Sequence, residues 1–200
     1  MPLTTAVLLF DEVEVLDFAG PFEVFSVCGR RQKLEPFRVI TVAERPGPVL
    51  ARNALSINPS HSFADCPKLD LLVVPGGFGT RREMHNPVML EWIAAKAKEV
   101  QYLLSVCTGA LVLGAAGQLD GLAATTHHLA FAELRAVAGK SEIRENARIV
   151  DNGRVILSSG VSAGIDVALH TVSRILGPEM ARETARYMEY EGNWTERTRK

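Results

Sequence analysis

The sequence predicts an α/β fold: a mostly parallel sheet sandwiched by helices, with one strand passing through a sharp turn into a helix. Three observations lead there. Short, continuous apolar runs recur along the chain, as suits strands buried on both faces, and stretches of helical periodicity separate them. The third is Cys107-Thr108-Gly109, which stands between an apolar strand and an apolar helix.

In chain order, residues 6–10 form the first apolar run, and an acidic loop follows. Pro21 is placed to open a helix, because its fixed φ suits a first helical turn, and Phe22, Val24, Phe25 and Val27 give that helix an apolar face. Gly29 and Arg30-Arg31 stop it. Residues 37–43 read as the second strand and 70–74 as the third, closed by Pro75-Gly76-Gly77. Asn86 caps a helix with Pro87 in its first turn, running to about Glu99. Residues 102–106 form a buried strand that turns at Cys107 into the helix 110–116. Two apolar runs around Asp151-Asn152-Gly153 give a hairpin, since Asn-Gly accepts the positive φ of a tight turn. Ser162 is placed to cap a last long helix striped by Ile165, Leu169, Val172 and Leu176.

At 200 residues and 21.8 kDa the chain reads as one domain over 1–200. Its 22 Lys and Arg nearly match its 23 Asp and Glu, so the net charge is −1. Without clustered cations there is no basis for binding nucleic acid or an anionic membrane, and the terminal Arg197, Arg199 and Lys200 are too few to supply one. Asp11, Glu12, Glu14 and Asp17 occupy the region where a signal peptide would be apolar, and a cytoplasmic location is expected. Cys28, Cys66 and Cys107 form no Cys-x-x-Cys pair, so neither disulfides nor a zinc cluster are expected.

Open α/β sheets bind ligands beyond the carboxyl ends of their strands. There the sequence places Asp17, Gly76-Gly77 and Cys107, which are expected to converge on one crevice. Cys107 is the candidate nucleophile, since a strand-to-helix elbow holds its side chain over the sheet. The helix dipole is expected to lower its pKa. Asp17, in an apolar stretch, is either a desolvated general acid or the cap of the helix that Pro21 opens. Gly76 and Gly77 are candidates to offer backbone N–H groups to a developing negative charge, together with those of Cys107 and Thr108. His127 is a candidate pocket residue. His127-His128 has no ligand at metal spacing, so no metal site is expected. Phe78, Met84, His128 and Tyr190 are further candidates for the pocket wall. His170, with Asp166 and Arg174 on either side, reads as a solvated helix face, and Cys28 and Cys66 read as structural thiols.

Ser105-Val106-Cys107-Thr108-Gly109-Ala110, with Ala124-Thr125-Thr126-His127, resembles the ThiJ/PfpI superfamily, which has a flavodoxin-like, class I glutamine amidotransferase-like fold. Nearly the whole chain takes part. Residues 16–25, Leu-Asp-Phe-Ala-Gly-Pro-Phe-Glu-Val-Phe, look like the opening motif of the isonitrile hydratase branch and of related domains in some transcriptional regulators. The matching later stretch is 161–166. The resemblance implies Cys107 as nucleophile, Asp17 as its acidic partner and proton donor, and Thr108 as the residue after the elbow. It further implies a homodimer without metal or organic cofactor, acting on a small molecule. The peptidase-like branch has Glu at the position of Asp17 and His directly after the nucleophile, which argues against proteolysis here. Glutaminase chemistry is not expected either, because no downstream His-x-Glu pair is present. His128 stands where the hydratase branch usually has Trp.

The leading expectation is therefore a cofactor-free cysteine hydratase that turns a small isonitrile into an N-substituted formamide through a thioimidate on Cys107. One alternative is a glyoxalase or deglycase acting on α-oxoaldehydes. The other is a ligand or redox sensor domain. The chain ends about 25 residues beyond its last long helix, so no helix-turn-helix domain is expected in it.

Overall fold

The computed structural model describes residues 1–192 and Trp194, so Arg197, Arg199 and Lys200 lie outside the described residues. The elements are β1 (Leu3–Leu9), α1 (Val15–Val27), β2 (Phe37–Ala43), β3 (Val49–Leu50), β4 (Ser56–Ile57), β5 (His61–Ser62), β6 (Leu71–Val74), α2 (Thr80–Glu83), α3 (Pro87–Glu99), β7 (Tyr102–Val106), α4 (Gly109–Ala115), β8 (Ala123–Ala124), α5 (Phe131–Val137), β9 (Glu142–Ile143), β10 (Ile149–Asp151), β11 (Val155–Ser158), α6 (Ala163–Leu176) and α7 (Pro178–Tyr187).

Seven strands form the main sheet in the order β10-β11-β7-β6-β1-β2-β5. Every pairing is parallel except the β10–β11 hairpin. Leu71 to Val74 are all fully buried, as are Ala6 to Leu9, which requires cover on both faces of the sheet. The cover comes as two helical groups, α1 with α6 and α7, and α4 with α2, α3 and α5. β6 and β7 pair Leu71 with Tyr102 and Val74 with Ser105, so both strands release the chain at the same level. Pro75-Gly76-Gly77 and Cys107-Thr108 therefore emerge side by side.

Three local expectations change. The first helix starts at Val15, not at Pro21, which is buried inside it. An internal proline loses one helical hydrogen bond and crowds the preceding turn, at a cost of about 3 kcal/mol. Burial of Phe18, Val24 and Phe25 on the same helix offsets that cost, and it brings Asp17 into the first turn. Secondly, α6 is followed by α7 after Gly177, whose φ of 89° turns the chain into Pro178. Ser162 precedes α6 without a side-chain capping bond, and its Oγ instead accepts from Arg148 Nη2 at 3.3 Å. Thirdly, the His170 face is not merely solvated. His170 Nε2 lies 2.8 Å from Asp151 Oδ2, Arg174 joins the same carboxylate, and Asp166 is completely buried.

The elbow depends on the absence of one side chain. A Cβ on Gly109 would lie 2.1 Å from the carbonyl oxygen of Val74 and 2.9 Å from that of Pro75, both backbone atoms that cannot step aside. Gly109→Ala is expected to cost at least about 1–3 kcal/mol by overpacking. Gly139→Ala, at a negative φ with its nearest neighbour 3.7 Å away, is expected to stay within about 0.5 kcal/mol of the parent. Urea unfolding of the two variants checks this, and equal midpoints would remove the packing argument.

Candidate active site

Cys107 has a φ of 56°, in the left-handed region that a residue with a side chain enters only when its surroundings hold it there. Its N–H donates to the carbonyls of Ser158 and Ser159 at 3.2 and 3.1 Å, and its own carbonyl accepts from Thr126 Oγ1 at 2.8 Å. These bonds clamp the elbow between the end of β11 and the segment after β8.

Asp17, completely buried, reaches the thiol from α1. Its Oδ2 accepts from the Gly76 N–H at 3.0 Å, and its Oδ1 is buried with no hydrogen-bond partner among the described residues. Within hydrogen-bonding reach of the carboxyl is Cys107. Burial pushes the Asp17 carboxyl up to about 7, against the lowering effect of the Cys107 and Gly76 contacts, and nearby Glu14 adds to the rise. Burial, and then the charge of Asp17, push the Cys107 thiol up to about 12. The lowered thiol pKa expected from the helix dipole is therefore not what the fold gives. α4 is only seven residues long, and loss of water around the sulfur outweighs its dipole. The pair is a neutral thiol beside a carboxyl that titrates near neutrality.

Gly76 and Gly77 do not present free N–H groups. The Gly76 N–H is on Asp17, and the Gly77 N–H donates to Thr108 Oγ1 at 2.9 Å. What Gly76 provides is room, since a Cβ there would lie within 2.7 Å of Asp17 Oδ2 and of both Thr108 N and Oγ1. The N–H groups that face the sulfur and favour its ionised form belong to Thr108 and Val161. Val161 was not singled out by its chemistry in the sequence, because a backbone donor leaves no side-chain signal. In the structure its φ of 47° marks it, a conformation that a β-branched residue rarely adopts.

Beside the elbow lies an open cavity of about 420 Å³, whose wall includes Thr126, His127, Arg148, Ser159, Gly160 and Val161. His127 Nδ1 accepts from the Leu129 N–H at 3.3 Å, so its ring proton sits on Nε2. The ring lies against Gly160, where a Cβ would come within 2.2 Å. Burial lowers the His127 pKa, helped by His128 and Arg81, and the ring is neutral at pH 7. His128 is also in the wall. Three other expected wall residues do not line this cavity. Phe78 is 66% exposed, with the Arg52 guanidinium 4.4 Å above its ring. Met84 packs against the core, and Tyr190 donates to Asp166 Oδ1 at 2.9 Å. Among the described residues no three of His, Cys, Asp and Glu gather closely enough to hold a metal ion.

The raised Asp17 pKa has a consequence for stability. Between the ordinary value of 3.8 and about 7 the folded protein holds a proton that the unfolded chain has released, so this contribution is full in acid and lost as pH rises to 7. Asp17→Asn is expected to flatten the fall in unfolding free energy across that window. At pH 8 it is expected to be the more stable protein, by on the order of 3 kcal/mol. Urea titrations at pH 4, 6 and 8 read this directly, and parallel pH profiles for the two proteins would show Asp17 to be ordinary.

Known proteins share this arrangement of strands and turns. The isonitrile hydratase of Pseudomonas putida is 36% identical over 190 residues, which cover 95% of this chain and 79% of that enzyme. The HTH-type transcriptional regulator CdhR of Pseudomonas aeruginosa is 31% identical over 168 residues, 78% of this chain but only 49% of the regulator. The crystal structure of a ThiJ/PfpI family protein from Pseudomonas syringae superposes with a TM-score of 0.85 at 31% identity, covering 96% of this chain and 77% of that one. The profile of the DJ-1/PfpI family matches residues 4–174, and with the elbow, the sheet order and these relatives it places the chain in the DJ-1/PfpI family.

Proposed function

We propose that the protein is a single-domain, cofactor-free cysteine hydratase that adds water to a small isonitrile, with Cys107 as nucleophile and Asp17 as the group that moves the proton. The observation that carries this reading is the buried Asp17 carboxyl beside the Cys107 thiol, one of its oxygens, Oδ1, being buried without a hydrogen-bond partner among the described residues. The similarity to an isonitrile hydratase over nearly the whole chain supports the substrate class.

A thiol pushed up to about 12 needs a base to ionise it, and a carboxyl titrating near 7 is matched to that work. Asp17 takes the thiol proton as sulfur bonds to the terminal isonitrile carbon, and then delivers that proton to the same carbon, giving a thioimidate. The N–H groups of Thr108 and Val161 steady the sulfur charge between the two events. Asp17, again a carboxylate, takes a proton from the attacking water and passes it to nitrogen. When the carbon–sulfur bond breaks, the hydroxyl proton returns to Cys107 and an N-substituted formamide leaves. Gly76 holds Asp17 Oδ2 throughout, and Thr108 holds the Gly77 peptide. A cytoplasmic homodimer that binds no nucleic acid belongs to the same reading. No helix of the described residues is long and apolar enough to cross a membrane.

The regulator relative favours a second reading, a sensor domain that binds a small molecule without turning it over.

Two isonitriles of different bulk, followed in the ultraviolet with the formamide confirmed by mass spectrometry, test the proposal. Cys107→Ala is expected to abolish turnover, and Asp17→Asn to lose about 10²–10⁴-fold in kcat while remaining folded. Full activity in Cys107→Ala would overturn the mechanism. Lactate formed from methylglyoxal, with no formamide from either isonitrile, would assign glyoxalase chemistry instead. Stoichiometric binding without turnover would assign the sensor.

A further inference from the structure

The cavity beside the elbow has a mixed lining, with polar side chains set among apolar surface. Of its ten wall residues, Ala147, Gly160 and Val161 are the ones without a polar side chain.

Arg148 has the most rigid of the charged groups in this wall. Its Nε and Nη2 are turned inward onto Asp166 Oδ2, and Nη2 also donates to Ser162 Oγ at 3.3 Å. Asp166 is 0% exposed, while the Arg148 side chain keeps 41% of its surface open. Tyr190 Oη occupies the other Asp166 oxygen at 2.9 Å. The carboxylate is thus engaged from two sides, and it fixes the guanidinium of a residue that lines the cavity, leaving Nη1 outside these bonds. The N–H groups outside these bonds, those of Nη1, suit a carboxylate, to which a charged donor binds more strongly than a neutral one. His127 adds a second donor, the Nε2–H fixed by the Leu129 N–H on the other ring nitrogen. The one acidic wall residue, Glu145, is engaged by Arg135 outside the cavity.

We propose that Arg148 and His127 bind a carboxylate on the substituent of the substrate, so that the preferred isonitrile is one carrying an acid group. This rests on the hydratase reading for the reaction, though not for the binding. It makes Arg148 a substrate-binding residue, with Asp166 and Tyr190 as the groups that position it.

The test separates binding from chemistry. On the Cys107→Ala background, calorimetry compares N-formylglycine with its methyl ester, the formamides that isocyanoacetate and its ester would yield. The acid is expected to bind at least tenfold more tightly, and Arg148→Met to bring the two within twofold of each other. Because Arg148→Met strands the buried Asp166 charge, Arg148→Met/Asp166→Asn provides the same readout without that penalty. In wild type, kcat/KM is expected to fall from isocyanoacetate through its methyl ester to pentyl isonitrile. An acid that binds no better than its ester, or a preference that survives both Arg148 variants, overturns the proposal. Acid-selective binding with no turnover of any isonitrile would keep the carboxylate site and discard the hydratase. Equal turnover of all three without acid-selective binding would do the reverse.

Discussion

A carboxyl and a thiol face each other almost out of water where three strands end, and the demands of that contact run through the surrounding structure. Either group buried alone as a charge would cost several kcal/mol. Together they share protons, and the charged form of one is tolerated because the other, and three backbone N–H groups, answer it. Their approach leaves no room for ordinary side chains at Gly76 and Gly109, where a Cβ would collide with backbone atoms or with the pair itself. Glycine at these two positions is a steric requirement of the contact.

Holding the sulfur in place also needs strain. Cys107 and Val161 both sit at positive φ, which costs of order 1–3 kcal/mol for each. The sheet supplies the restraint. β7 is paired on both sides, with β6 and β11, and the residue just beyond it, Cys107, donates to two β11-side carbonyls. Cys107 cannot relax without breaking its bonds to the β11 side and to Thr126, so the elbow stays set for whatever approaches the thiol.

A second buried carboxylate, Asp166, does comparable work one turn into α6. It ties the hairpin side of the sheet, through Arg148, to the C-terminal segment, through Tyr190. Removing one member would leave a charge without water or partner, which is how a long-range contact makes a wall residue rigid. In the proposed chemistry the two aspartates divide the labour: Asp17 moves a proton at the reacting carbon, and Asp166 fixes the group that reads the rest of the substrate.

The layered α/β fold was legible in the sequence because apolar runs such as Leu71-Leu72-Val73-Val74 have no use except as strands covered on both faces, and the periodic stripe of Ile165, Leu169 and Val172 has none except as a helix against them. The elbow was legible for the same reason, a strand and a helix joined by too few residues for anything but a sharp turn. Proton affinities were not. The same short helix that suggested a lowered Cys107 pKa lies in a site where burial raises it, and burial is a property of every element packed around the sulfur. Nor could the sequence assign donors. Gly76 and Gly77 were candidates for open N–H groups, yet side chains from α1 and the elbow take both, while Val161 and Arg148, more than forty residues from Cys107 along the chain, close in on the site. The sequence by itself determined which local structures form and which residue types stand at the strand ends. Tertiary structure alone decided which of those groups meet, because contact and desolvation are made between segments that the chain order keeps apart.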